Sequence, residues 1–210
     1  MITVLLLSGR AGCGKDAAAS LLMEEVGFTR FAFADVLKQD VADRYGLPLH
    51  LFHTAAKDWP LPDFGGRTPR TLLLDHARIA RSIDRDVYAK RVAAAIKEAV
   101  AVDPVRHQRF VISDWRYKRE YEFLERELTP LATILCLRIT RHLTDRPLID
   151  DPTERDLVDQ PMHGMIDNDA SISDLRDALK LFLRTQRIIE SYDPTELHKN
   201  PLLGSGRSVQ

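Results

Sequence analysis

The chain has 210 residues, with 30 Lys and Arg against 31 Asp and Glu, and a formal net charge of −1. That length suits one domain with a sizeable core, and the balanced charge removes any electrostatic case for a nucleic-acid polymer or an acidic membrane, so cationic function must be local. The longest strongly apolar stretch, Ile2 to Leu7, is far short of the ~18 residues needed to span a bilayer and lacks a basic leader. The expectation is a cytoplasmic chain with no membrane partner. Cys13 and Cys136 are the only cysteines and have no metal-ligand spacing, so they read as reduced thiols.

Taken in chain order, the continuous apolar run Met1 to Ser8 predicts a central strand buried on both faces. A glycine-rich turn leads into a helix from Asp16 to Val26, stopped by Gly27. A second strand is predicted over Phe28 to Phe33, then a helix from Asp35, its N-cap, to Tyr45, stopped by Gly46. Leu47 to Arg67, with its prolines and glycines, reads as a long irregular excursion. Thr68 and Pro69 begin a helix to about Arg81, and Asp84 to Val100 carries another. Strands follow at Arg109 to Ser113 and Ala132 to Ile139, with a weaker one at His163 to Ile166. Between the last two lies a densely charged stretch, Arg141 to Pro161, suited to a mobile lid. Ser171 and Asp174 form a capping-box-like start to a helix ending near Glu190, and residues 191–210 read as a loose tail. The alternation of strands and helices predicts an α/β fold with a mostly parallel five-stranded sheet and helices on both faces, organised as a single domain over 1–190.

The sharpest motif is Gly9-Arg10-Ala11-Gly12-Cys13-Gly14-Lys15-Asp16, which matches G-x-x-x-x-G-K with Asp where Ser or Thr is usual. Glycines let backbone N–H groups point inward at phosphate oxygens, the following helix adds its positive end, and the lysine neutralises β/γ charge. Asp16 has two readings: an acid complementing the helix dipole, or a ligand of Mg²⁺, directly or through water. The third strand ends in Asp114 at the carboxyl edge of the sheet, where ligands of open α/β folds bind. Asp114 is therefore a candidate substrate contact or outer Mg²⁺ acid, with helix capping as the plainer reading. Arg116 follows, and Glu120 lies one helical turn on, where it could orient the arginine.

Asp35 is explained by capping alone, but Lys38 in the same first turn opposes the dipole and suggests an anionic partner. Arg67 and Arg70 flank the next helix start, where Arg70 could join the N-terminus in gripping phosphate. Arg138, Arg141 and Arg146 cluster around the charged stretch after the fourth strand, from which a lid could bring guanidinium groups to a transferring phosphate. Trp59 and Trp115 read as packing residues.

Together these blocks resemble the deoxynucleoside monophosphate kinases of phages and related bacterial sequences, within the P-loop NMP-kinase fold. The resemblance is carried by Gly9 to Asp16, by Phe33-Ala34-Asp35-Val36-Leu37-Lys38, by Ile112-Ser113-Asp114-Trp115-Arg116-Tyr117 with Glu120, and by Ile166-Asp167-Asn168-Asp169-Ala170-Ser171. Trp115, Arg119 and Ala170 depart from the family pattern. The resemblance implies a three-layer P-loop NTPase fold with an acceptor-binding region over about 35–100 and a lid over about 141–161. It implies ATP as donor with Mg²⁺, held by the loop and by Asn168 and Asp169. It further implies a deoxynucleoside monophosphate acceptor near Asp35, Lys38, Arg67, Arg70, Asp114, Arg116 and Glu120, with Lys15, Arg116 and Arg141 acting on the transferred group. A homodimer and, for a phage-encoded chain, the host cytoplasm fit the same pattern. Two alternatives remain: a kinase of the same fold for another small acceptor, such as phosphomevalonate or dephospho-coenzyme A, and a nucleotide-binding switch without catalysis.

Overall fold

The computed structural model describes residues 2–103, 108–142 and 156–189. β1 (Ile2–Ser8) is the middle of a five-stranded sheet, with Val4, Leu5, Leu6 and Leu7 all fully buried. Alternation sends Leu5 and Leu7 to one face and Val4 and Leu6 to the other, so an unbroken apolar run serves two cores. β2 (Thr29–Phe31), β3 (Arg109–Ile112), β4 (Ala132–Thr140) and β5 (Gly164–Asp167) complete the sheet in the order β2-β3-β1-β4-β5, every described pair parallel.

Six α-helices are described. α1 (Lys15–Val26) and α6 (Ile172–Thr185) cover the face of Leu5 and Leu7, through Ala18, Leu22, Leu175 and Phe182. α4 (Val87–Val102) and α5 (Lys118–Leu128) cover the other through Val92, Ile96, Phe123, Leu124 and Leu128. Full burial of side chains this size is worth ~1.5–3 kcal/mol each. α2 (Phe33–Tyr45) and α3 (Pro69–Ile83) build a smaller cluster with Phe52 from the intervening excursion, which forms three short 3-10 turns, Leu49–Phe52, Ala55–Asp58 and Pro62–Phe64. α3 and α6 begin in capping boxes, Thr68 with Thr71 and Ser171 with Asp174.

The architecture is the expected three-layer α/β fold, but several details differ from the sequence reading. β2 stops at Phe31, and α2 begins at Phe33 with Ala32 as its N-cap. Asp35 is thus the third helical residue, not the cap. The early start has a remote cause: the Asp114 carboxylate accepts from the N–H groups of Phe33 (2.9 Å) and Ala34 (2.8 Å), satisfying donors that a local cap would otherwise take. α5 was not anticipated, although Phe123, Leu124 and Leu128 supply a helical apolar stripe. α4 starts at Val87, and α6 ends at Thr185, short of Glu190. At the end of the charged stretch, Leu157 is 5% exposed in the core of the α4 and α5 face, and Asp156 accepts from the Lys118 N–H at 2.6 Å. Arg146, Asp150, Asp151 and Glu154, with the tail, lie outside the described residues. No described helix is long and apolar enough to cross a membrane.

Candidate active site

The carboxyl ends of β1, β3, β4 and β5 meet along one edge, and the glycine loop leaves β1 there. Gly9 has φ 139, and a Cβ on it would lie 2.1 Å from the Ile139 carbonyl oxygen. Only glycine lets the loop pass over the end of β4. Gly14, with φ 103, turns the chain into α1, and a Cβ there would lie 2.1 Å from Asn168 Nδ2. That close approach has a purpose, because Asn168 Nδ2 donates to the Cys13 carbonyl at 2.9 Å from a side chain only 7% exposed. Its own N–H donates to Thr140 O, so β4 and the residue after β5 together brace the loop from behind.

Lys15 folds across the loop mouth. Its Nζ donates to the carbonyls of Gly9 (2.6 Å) and Arg10 (2.8 Å), with Cys13 Sγ at 3.8 Å. The ammonium is therefore held against the loop by the loop's own carbonyls. Burial raises the Cys13 thiol pKa despite the opposing charge of Lys15. Ala11 and Gly12 are exposed on the loop crest, and Asp16 is exposed in the first turn of α1.

Beside the loop is a cavity of about 450 Å³. Gly9, Arg10 and Cys13 form its floor, Arg116 enters after β3, Arg138 and Arg141 come from the end of β4, and Leu157 closes one side. The structure thus gathers Lys15's loop, Arg116 and Arg141 around one space. Arg67 and Arg70 do not line it. Arg70 pairs with Asp58 at 2.5 and 3.1 Å, and Arg67 with Asp75. Asp169, expected to help hold ATP, accepts from the His142 N–H at 2.6 Å and so joins the residues just after β4 to those just after β5.

A second polar cluster lies at the start of α2. Arg30 Nη1 donates to Asp35 at 2.7 Å, Lys38 Nζ donates to its other oxygen at 3.0 Å, and Arg30 Nε donates to Ser113 Oγ at 2.9 Å. Burial alone would raise the Asp35 pKa, but hydrogen bonds from Lys38 and Arg30 outweigh it and hold the carboxyl below its ordinary value. Arg30 was missed from the sequence, since a single arginine in a short strand carries no motif. Asp114 caps α2 as described, its pKa raised by burial against the helix N–H groups. Glu120 accepts from the backbone N–H of Arg116 (3.2 Å) and Tyr117 (3.1 Å), fixing the turn on which Arg116 stands. Burial pushes its pKa up to about 8. Among the described residues no group of three or more His, Cys, Asp or Glu side chains could hold a metal ion.

No protein-family model matches the chain. It is 27% identical over 138 residues to a protein of Acanthamoeba polyphaga mimivirus named, provisionally, a deoxynucleotide monophosphate kinase, across 60% of this chain and 69% of that one. Among solved structures it is similar to the dephospho-CoA kinase of Campylobacter jejuni, with TM-score 0.47, 15% identity and coverage of 90% and 98% of the two chains. It is also similar to the APS kinase CysC of Mycobacterium tuberculosis, with TM-score 0.45, 13% identity and coverage of 87% and 96%. The glycine loop after the central parallel strand, with helices on both faces, makes this a P-loop fold.

Proposed function

We propose that the chain is a kinase that moves the γ-phosphoryl group of ATP to the phosphate of a deoxynucleoside monophosphate. The observation that carries this reading is the glycine loop with Lys15 opening onto a cavity walled by Arg116, Arg138 and Arg141. An acceptor phosphate oxygen attacks the γ-phosphorus, the bond from that phosphorus to the β–γ bridging oxygen breaks, and the nucleoside diphosphate leaves with the electron pair. An acceptor that is already an oxyanion needs no base, so the task is positioning and charge neutralisation. Lys15 and the loop N–H groups hold the donor phosphates, and Arg116 and Arg141 meet the charge that spreads over the transferred group. Magnesium would supply further neutralisation of the donor phosphates, and Asp16, exposed beside the loop, is the acid that would hold it, directly or through water. The arginine-rich wall is what this chemistry asks for.

Asp35 bears on the alternatives. An alcohol acceptor, as on dephospho-coenzyme A, would need a general base, and a carboxylate paired with two cations and held below its ordinary pKa is a poor one. Arg30, Asp35 and Lys38 instead form a cationic, pre-ordered edge fitted to an anionic nucleotide. The test is a coupled assay with ATP and Mg²⁺ against ribo- and deoxynucleoside monophosphates, phosphomevalonate and dephospho-coenzyme A. Turnover of deoxynucleoside monophosphates well above the rest is expected. Preference for either of the last two would move the reading to another acceptor, and no transfer to any would overturn it.

A further inference from the structure

β4 places an arginine where its pattern calls for a hydrophobe. Ala132, Ile134 and Cys136 pack into the α4 and α5 face, so two-residue alternation puts Arg138 on the same side. Its register partner on β1 is Ser8, 1% exposed at the foot of the glycine loop. The guanidinium donates to the Leu157 carbonyl, and no carboxylate pairs with it among the described residues. A guanidinium has five donors in a fixed fork, and burying a cation without a counter-charge is costly. The side chain is partly buried, and burial lowers its pKa, yet arginine stays charged. The fork lines the cavity that Gly9, Arg116 and Arg141 also border. A bound anion would supply the counter-charge, and bidentate pairing with phosphate is what the guanidinium geometry suits.

We propose that Arg138 binds the acceptor's phosphate monoester from the fixed sheet. The proposal rests on the kinase reading for the identity of the anion. It differs from a lid arginine in mechanism: Arg138 stands on a strand, so its site is formed before any closure. Through the Leu157 carbonyl it also joins the bound anion to the segment 156–161.

The experiment is titration calorimetry of the full chain, without ATP, using inorganic phosphate and each of the four deoxynucleoside monophosphates. The chains compared are wild type, Arg138→Gln, Arg138→Lys and Asp156→Ala, each checked for folding by circular dichroism. Arg138→Gln should weaken monophosphate binding by about tenfold or more, the loss expected for one charge-assisted contact. Arg138→Lys should fall between, keeping the charge without the fork. Asp156→Ala, which releases the same segment from the Lys118 N–H outside the cavity while leaving the cation, should change affinity by less than about threefold. The proposal is overturned by unchanged affinity in Arg138→Gln, by equal losses in Arg138→Gln and Asp156→Ala, or by a wild type that binds none of the probes. If Arg138→Gln does not fold, the same affinities measured on Arg138→Lys decide the matter. Binding as expected with no phosphoryl transfer in the coupled assay would remove the kinase reading and leave an anion site. Transfer with an acceptor KM unchanged in Arg138→Gln would remove Arg138 alone.

Discussion

Replacing Gly14 with alanine tests how the phosphate loop is held. At φ 103 the residue occupies backbone that costs a non-glycine ~1–2 kcal/mol. The new Cβ would also lie 2.1 Å from Asn168 Nδ2, expelling the amide that donates to the Cys13 carbonyl. Leaving that buried pair unsatisfied adds ~1–3 kcal/mol, for a total of about 3 kcal/mol. Gly27 is an internal control: φ is 73, nothing lies within 4 Å of its would-be Cβ, and alanine there meets backbone strain alone, ~1 kcal/mol. At about 2–4 °C per kcal/mol for a chain of this size, Gly14→Ala should lower Tm by about 9 °C and Gly27→Ala by about 3 °C. Thermal unfolding followed by circular dichroism reads both. Asn168→Ala on the Gly14→Ala background should add little, since the two changes break one contact. Equal Tm losses at the two glycines, or additive losses in the double variant, would refute the idea that Asn168 braces the loop.

Lys15→Ala should lower kcat by at least about a hundredfold in the coupled assay with Tm nearly unchanged, because transition-state electrostatics at this position supply several kcal/mol. Asp114→Ala should cost about 2 kcal/mol in urea unfolding, by orphaning the first two N–H groups of α2. Arg30→Ala and Lys38→Ala should raise the acceptor KM while ATP affinity, measured alone by calorimetry, stays near wild type. Glu120 sets a pH dependence: its folded pKa of about 8 lies above its ordinary value, so the folded chain holds the proton more tightly. Its contribution is fully present below about pH 4.5 and is lost as pH rises towards 8. Stability curves of wild type and Glu120→Gln should therefore diverge over that range, the variant losing less as pH rises; parallel curves would show that Glu120 is not buried as described.

The glycine loop is legible from the sequence because its chemistry is local: Gly9, Gly12, Gly14 and Lys15 fall within seven positions, directly between the first strand and the first helix. The Thr68 cap of α3 and the capping box of α6 are legible for the same reason. α2 shows the limit. Its start was misplaced by two residues because the group that caps it, Asp114, lies some eighty residues away on another strand's end. The charged stretch after β4 was read as loose from composition, but one leucine, Leu157, finds the core and ties its end down.

By itself, then, the sequence determined what depends on neighbours along the chain: strand and helix types, their alternation, and hence a parallel α/β sheet with a phosphate loop after its first strand. Only the tertiary structure decided which charges meet. Arg67 and Arg70 look from sequence like phosphate ligands, yet they pair with Asp75 and Asp58 outside the cavity. Arg30 carries no signal and pairs with Asp35. Arg138, one of several arginines near a charged loop, becomes a partly buried cation at the foot of the glycine loop only when β4 lies beside β1 and aligns it with Ser8. The physical reason is that periodicity reports which face a residue occupies, whereas the counter-charge it meets there depends on the register between strands distant in sequence.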